Sequence, residues 1–464
     1  MVKQDGSGHF TQIQAAINAS AHTDSIKVYP GTYVENIDYN GKNIFIYSLE
    51  YTSGNPAYRD STIIDGNRNG SVVKSTSPTT NCGIYGFTIQ NGSGSNTYYE
   101  LGQLLPDGGG LLLNNASNFI LSACVIKNNS AYVGGGAHIY NSNVQMKMCE
   151  IYQNHATLGG GLLLDWHGIV DFTQSPRSSV YDNIAGHGQD ILASNTMMDL
   201  SIYLDKGTVS YHNSYYISYT KSVLSDPGTL INIDILQGYL TETDNDVYVS
   251  PNGCDSNSGL SHAAPLKSIH KAMQVVKSDS LSNNTIYLAP GNYSSEDGQL
   301  YPIGLKSFVK LQGAGSELTH LTNVHYGITI LGQRVSKPSA SSFSIHQGGN
   351  PVSSFQIALS RVTNGHISDV TINHASSSSI SGMYFGSNSD YNSDCSLERI
   401  KISDNNAVRQ SGLFALVVDL DIKELIIDNC NVTGGEINFP NPPFYYSGNK
   451  LKMANSKIIN NSIL

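Results

Sequence analysis

Apolar and polar positions alternate along this chain in very short runs. Phe119-x-Leu121, Val144-x-Met146, Leu111-x-Leu113 and Leu162-x-Leu164 each place an apolar side chain at every second position. A period of two describes a strand with one buried face. Between the runs a triple glycine recurs, at Gly108–Gly110, Gly134–Gly136 and Gly159–Gly161, with Gly186-His187-Gly188 as a degenerate fourth copy. Each is preceded by an Asn and an Ala: Asn129 and Ala131, Asn154 and Ala156, Asn183 and Ala185. Ile126, Ile151 and Val180 lie upstream in the same phase. Several short strands per unit of about 25 residues describe one coil of a parallel β-helix, an all-β solenoid.

This geometry gives the repeated residues physical roles. Neighbouring coils lie about 4.8 Å apart, so equivalent side chains stack. Glycine belongs where the backbone turns tightly or takes a positive φ. Asn tolerates the left-handed region, and its amide can bond the same amide on the next coil. Cys124 and Cys149 fall on one column. They are expected to stack as thiols, although a disulfide is sterically conceivable. Fainter coils are expected at Gly83–Gly92, Ile402–Ala407 and Ile427–Asn429. Ile458-Ile459-Asn460-Asn461 reads as a coil begun and cut short, so the natural protein is expected to continue past Leu464.

A longer repeat uses one opening module twice. Ile13-x-x-Ala16-Ile17, Ile26-x-Val28 and Pro30-Gly31-Thr32-Tyr33 are echoed by Ile269-x-x-Ala272-Met273, Ile286-x-Leu288 and Pro290-Gly291-Asn292-Tyr293. The first element has helical spacing. A short helix laid across the open end of a stack hides its first coil from water and from other strands. Two such caps predict two stacks, residues 1–240 and 241–464, joined at the polar run Thr241–Asp246.

Composition narrows the function classes. Only 13% of the 464 residues are charged, and the formal net charge is −10, which argues against a nucleic-acid partner. The longest apolar stretch, Leu413–Val418, is far short of the roughly 18 residues of a membrane span. The six cysteines form no C-x-x-C pair, so no zinc site of that kind is indicated. The chain runs at once from Met1-Val2 into patterned sequence, and Met1 is read as a start residue added to a mature chain.

With the opening Asp5-Gly6-Ser7-Gly8, a helix and a Pro-Gly-x-Tyr turn, the chain resembles pectin-lyase-like right-handed parallel β-helix proteins of the Asn/Gly-rich bacterial secreted or surface type. The second module, Asp246–Gly315, resembles a related family of uncharacterised function through Ser250-Pro251-Asn252-Gly253, Asn257-Ser258-Gly259 and Leu311-Gln312-Gly313. The resemblance implies right-handed coils, arranged as two stacks each opened by a capping helix or as one long stack interrupted by the second cap. It leaves the activity open, because the architecture hosts lyases, hydrolases, esterases and adhesins. Gly31-x-Tyr33-x-Glu35 is similar to a pectin methylesterase pattern, but the esterase's other motifs are missing or out of order. Gly186-His187-Gly188 and Arg399-Ile400-Lys401 are similar to polygalacturonase motifs, yet they fall in different stacks without the acidic elements. A polysaccharide lyase needs a Lys or Arg base beside Ca²⁺ held by several carboxylates. The acids Asp165, Asp171, Asp182, Asp190, Asp199 and Asp205 are scattered, and nothing pairs a base with three acids at coil spacing.

Asp165-Trp166-His167 holds the only Trp. Trp166 falls where Asn115 and Asn141 fall, just after an inward strand, and is expected to leave the core. A Trp beside Asp and His can stack on a sugar ring while the polar groups take its hydroxyls. His138 and Asp190 are read as equivalent positions two coils apart, with Leu163 between them. The tyrosines 211, 215, 216 and 219 form either an aromatic platform or a cover for the last coil. The expected function is a secreted or cell-surface, non-catalytic, glycan-binding stalk or adhesin. Its candidate contacts are Asp165, Trp166, His167, His138 and Asp190. Its partner is a polysaccharide or surface glycan, with no cofactor and no membrane span. The alternative is a polysaccharide lyase, ahead of a hydrolase or esterase, acting on an extracellular polysaccharide with Ca²⁺ as its cofactor.

Overall fold

The computed structural model describes residues 1–79, 82–98, 104–194, 200–208, 217–220, 231–324, 328–333, 335–347, 355–373, 376–377, 380–386, 393–407, 410–416, 418–432, 444–448 and 450–463. The tyrosines 211, 215 and 216 lie outside these residues, as does the side chain of Tyr219. The chain divides into two compact units, Met1–Thr241 and Glu242–Leu464.

In the first unit nearly every strand pairs in parallel with its equivalent one coil away. The column Leu111–Ala137–Leu162–Ile191 is in register, and so is Leu113–Ile139–Leu164–Ala193. These side chains fill the interior. The triple glycines stack as the spacing requires: the Gly109 N–H donates to Gly134 O and the Gly135 N–H to Gly159 O, both at 3.0 Å. The first glycine of each set takes a positive φ, at 58° for Gly108, 65° for Gly134 and 66° for Gly159, so no β-carbon is tolerated cheaply. The fourth coil corrects the expected alignment. Gly188, at φ 66°, stacks on Gly159, so Gln189 and Asp190 stand where the earlier coils have their second and third glycines. The coil between carries the extra residues around Trp166–Arg177.

Asn129, Asn154 and Asn183 are buried and form an amide ladder inside the stack. Asn129 Nδ2 donates to Asn154 Oδ1 at 3.0 Å, and Asn154 Nδ2 to Asn183 Oδ1 at 3.0 Å. The left-handed position is held by the residue before each of them: Asn128, Gln153 and Asp182, with φ of 53–55°. Turning and laddering are thus divided between neighbours. Cys124 and Cys149 remain separate buried thiols that reach the carbonyls of Ser122 and Leu121. Burial pushes the Cys124 thiol up to about 12.

The second unit has longer strands. Ser339–Gln347, Gly365–Asn373, Asp394–Ser403 and Asp419–Asp428 pair in parallel. Each bends at a left-handed residue, respectively Ser342, Asp369, Arg399 and Glu424. The faint coils around Ile402, Ile427 and Ile458 lie on one column with Ile345 and Ile372. Arg399 grips Asp369 on the coil below with two contacts of 2.5 and 2.9 Å, which holds the Asp369 carboxyl below its ordinary range. Arg399-Ile400-Lys401 is therefore a corner and a core position of the stack.

Both units open with a short helix, Ile13–Ala19 and Ile269–Val275. Glu35 accepts from the Ile13 and Gln14 N–H groups at 2.9 Å each, so the last residue of Gly31-x-Tyr33-x-Glu35 satisfies the free N–H groups at the helix start. In the second unit Gln299 Oε1 accepts from Ile269 N–H and the Ser268 hydroxyl from Lys271 N–H. A lysine closes the other end of each helix. Lys42 Nζ donates to the carbonyls of Ile17, Asn18 and Ser20, and Lys306 Nζ to those of Met273 and Val276.

Candidate functional site

The strand Leu162–Asp165 ends in a tight turn. Tyr140 and Asp165 are in register, so Trp166 stacks above Asn141, which in turn stacks above Asn115. All three take a positive φ, at 55° for Asn115, 44° for Asn141 and 46° for Trp166. A left-handed residue at the end of an inward strand throws its side chain outward, and Trp166 is 50% exposed. His167 follows with φ 69°, and its ring stands at 80° to the indole with centroids 6.2 Å apart. Gly168 completes the turn where a β-carbon would lie 2.0 Å from Ile139 O. Below the indole the amides continue the column: Asn141 Nδ2 donates to Asn115 Oδ1 at 2.5 Å. Asn115, Ser117, Asn141, Asn143, His167 and Ile169 line an open groove of about 400 Å³.

Asp165 links this surface to a buried pair. Its Oδ1 accepts from Trp166 N–H at 2.9 Å, and its Oδ2 lies 4.0 Å from His138 Nε2. His138 is 3% exposed, and its Nδ1 lies 2.6 Å from Asp107 Oδ1. Thr97 supports Asp107 from its other oxygen at 2.7 Å. Strand Ala137–Tyr140 carries His138 outward, but Val133, Leu163 and Leu192 close over that face as a second apolar cluster.

Four of the five residues singled out from sequence therefore converge: Asp165, Trp166, His167 and, beneath them, His138. Asp190 does not join them. His138 stacks on Leu163 and then Leu192, whereas Asp190 occupies the third-glycine position, so the two are not equivalent. Asp190 is 1% exposed and ends the amide ladder. Its Oδ1 accepts from Asn183 Nδ2 at 3.1 Å and its Oδ2 from Thr208 N–H at 3.0 Å. Burial pushes its carboxyl up to about 6, against those hydrogen bonds. Asp107 was missed by sequence reading, although it directly precedes the first triple glycine.

A second groove, of about 620 Å³, lies in the second unit and was not singled out. Asp394 and Asp419 stack in register there, and Asp421 pairs in register with Ser396 on one side and Lys452 on the other. The 25-residue step from Asp394 to Asp419 was a usable signal, but no glycine triplet marks those coils. Among the described residues no three of His, Cys, Asp or Glu converge to hold a metal ion. Among the described residues no helix is long and apolar enough to cross a membrane.

The in-register columns define a parallel β-helix. Residues 251–464 match the model of a family described as a protein of unknown function (DUF1565). No curated protein matches the chain. Among solved structures, the chain is similar to a pectin methylesterase from carrot at 9% identity and a TM-score of 0.25, over 99% of this chain and 87% of that one. It is also similar to a family 28 exopolygalacturonase from Yersinia enterocolitica at 9% identity and a TM-score of 0.22, over 92% and 76%. A third similarity is to the Streptococcus pneumoniae surface protein and adhesin PfbA, at 12% identity and a TM-score of 0.21, over 97% and 94%.

Proposed function

We propose that this protein is a non-catalytic glycan-binding protein of the cell exterior and that the groove beside Trp166 is its binding face. One observation carries the reading. The only Trp in the chain is held outward by a left-handed turn at the head of an exposed amide column, beside an open groove. An indole face stacks on the apolar face of a sugar ring, and side-chain amides both donate to and accept from ring hydroxyls. No charged Asp, Glu, Lys or Arg side chain lines that groove, which suits a neutral glycan. The backbone ladders hold the stack together, so outward positions vary without loss of fold.

The test is retention on a glycan array of the intact chain against Trp166→Ala and His167→Ala. Retention should fall about tenfold for Trp166→Ala, the loss expected for one buried stacking contact. Undiminished retention removes Trp166 from the binding face and with it the proposal.

A polysaccharide lyase or hydrolase is the second reading, and a separate observation favours it. Asp394 and Asp419 stand on adjacent coils with Lys450 in the same groove, so acid and base groups share one surface. Assays for reducing ends and for unsaturated products, with and without Ca²⁺, decide between turnover and binding alone.

A further inference from the structure

The groove of the second unit orders its charges along the stack. Asp394 lies on one coil, Asp419 and Asp421 on the next, and Lys450 and Lys452 on the one after. Leu420 N–H donates to Lys450 O at 2.9 Å, which fixes that last coil against Asp419. The carboxylates are not neutralised from within: no ion pair among the described residues joins them to Lys450 or Lys452. Asp394 Oδ1 accepts one backbone N–H, from Asn364 at 2.9 Å. Asp419 Oδ1 is enclosed and has no hydrogen-bond partner. Ser393, only 5% exposed, lines the same groove, and its hydroxyl is likewise enclosed without a partner. Buried polar atoms are normally satisfied, so two such atoms at one groove mark places for a ligand's donors.

We propose that this groove binds a zwitterionic saccharide, its ammonium against Asp394 and Asp419 and its anionic group against Lys450 and Lys452. The Asp419 coil and the lysine coil are neighbours, about 4.8 Å apart, and Asp394 stands one coil further from the lysines. Neighbouring carbons of a single pyranose ring can carry both groups across that span. Stacked carboxylates on adjacent coils hold an ammonium from two sides, and the Ser393 hydroxyl adds a partner for a ring hydroxyl. The lysines are exposed, so they select the anionic end more than they add affinity. The site is independent of the Trp166 groove and of whether turnover occurs.

Calorimetry on the intact chain with four probes tests this. Muramic acid carries both charges on one sugar, glucosamine only the cation, N-acetylmuramic acid only the anion, and diglycine both charges without a ring. Muramic acid should bind about tenfold more tightly than each of the other three. Asp419→Asn should weaken it about tenfold and Lys452→Gln about threefold, the latter at an exposed position that the fold tolerates. Trp166→Ala should leave it unchanged. Absent binding of muramic acid, equal binding of glucosamine or N-acetylmuramic acid, or an unaffected Lys452→Gln variant would overturn the zwitterion claim. Equal binding of diglycine would overturn the assignment to a saccharide.

Discussion

The two units build the same solenoid and line their grooves with opposite kinds of group. The first lines its groove with uncharged groups and ends its interior ladder on a single carboxyl, Asp190. Its buried polar column is made of the neutral amides Asn129, Asn154 and Asn183, and its groove is lined by amides, a hydroxyl and an imidazole. The second brings charge inward. Lys306, 1% exposed, pairs with Glu242 at 2.8 Å beneath the cap, and the groove carries three carboxylates and two ammonium groups. Parallel strand ladders carry the fold in both units, so the remaining columns are at liberty to set the chemistry of each face.

The largest expected effect falls on the second unit. Lys306→Ala strands Glu242 and uncovers two carbonyls of the capping helix, and should cost about 3–5 kcal/mol in the urea transition of that unit. Lys42→Ala performs the same deletion at a half-buried site without a buried ion pair, and should cost about 1–2 kcal/mol. Equal losses would erase the contrast between the caps. In the first unit, Asn154→Ala removes the acceptor of Asn129 and the donor to Ile126 O, and should cost about 2–4 kcal/mol. A loss under 1 kcal/mol would mean that the ladder is ornamental.

The pH profile sharpens the comparison further. Burial raises the Asp190 carboxyl from 3.8 to about 6, so its protonated form is favoured in the folded state. That contribution is fully present below about pH 4 and is lost as pH rises through 6, up to about 3 kcal/mol. Burial of His155 pushes its imidazole down to about 4 and acts in the opposite direction, losing stability as pH falls through that value. The measurement is therefore a difference. Melting curves from pH 4 to 7 should show intact protein losing stability relative to Asp190→Asn as pH rises, and parallel curves would contradict the assignment. The smallest effect on stability belongs to Trp166→Ala, within about 0.5 kcal/mol, since the indole covers no core. Urea melts of the variant should overlay those of the intact chain while glycan retention drops.

Much of the architecture was legible before any coordinates, because a coil repeat writes its geometry directly into residue spacing. The glycine column, the Asn ladder, both capping helices and the outward position of Trp166 all follow from phase alone. Legibility ended where phase was interrupted. The extra residues around Trp166–Arg177 shifted the fourth coil, so Asp190 was placed beside His138 when it belongs to the interior ladder. Asp107 escaped notice because its partner sits 31 residues away, on a strand that the repeat predicts only as outward. The second groove escaped because its coils bend at Ser342, Asp369, Arg399 and Glu424, different residue types in equivalent positions, in place of a recurring glycine triplet. A left-handed corner constrains the backbone more than it constrains identity, so such coils align in space without aligning in sequence.

The central claim, that the Trp166 groove takes a neutral glycan, has a direct optical test. Trp166 is the only Trp, so intrinsic tryptophan fluorescence reports on the turn it shares with His167, which lines the groove. Titration of the intact chain with cellohexaose, xylohexaose and mannohexaose should give, for at least one of them, a saturable blue shift that 0.5 M NaCl does not abolish. No saturable change with any of the three, or a change that vanishes in salt, would contradict it.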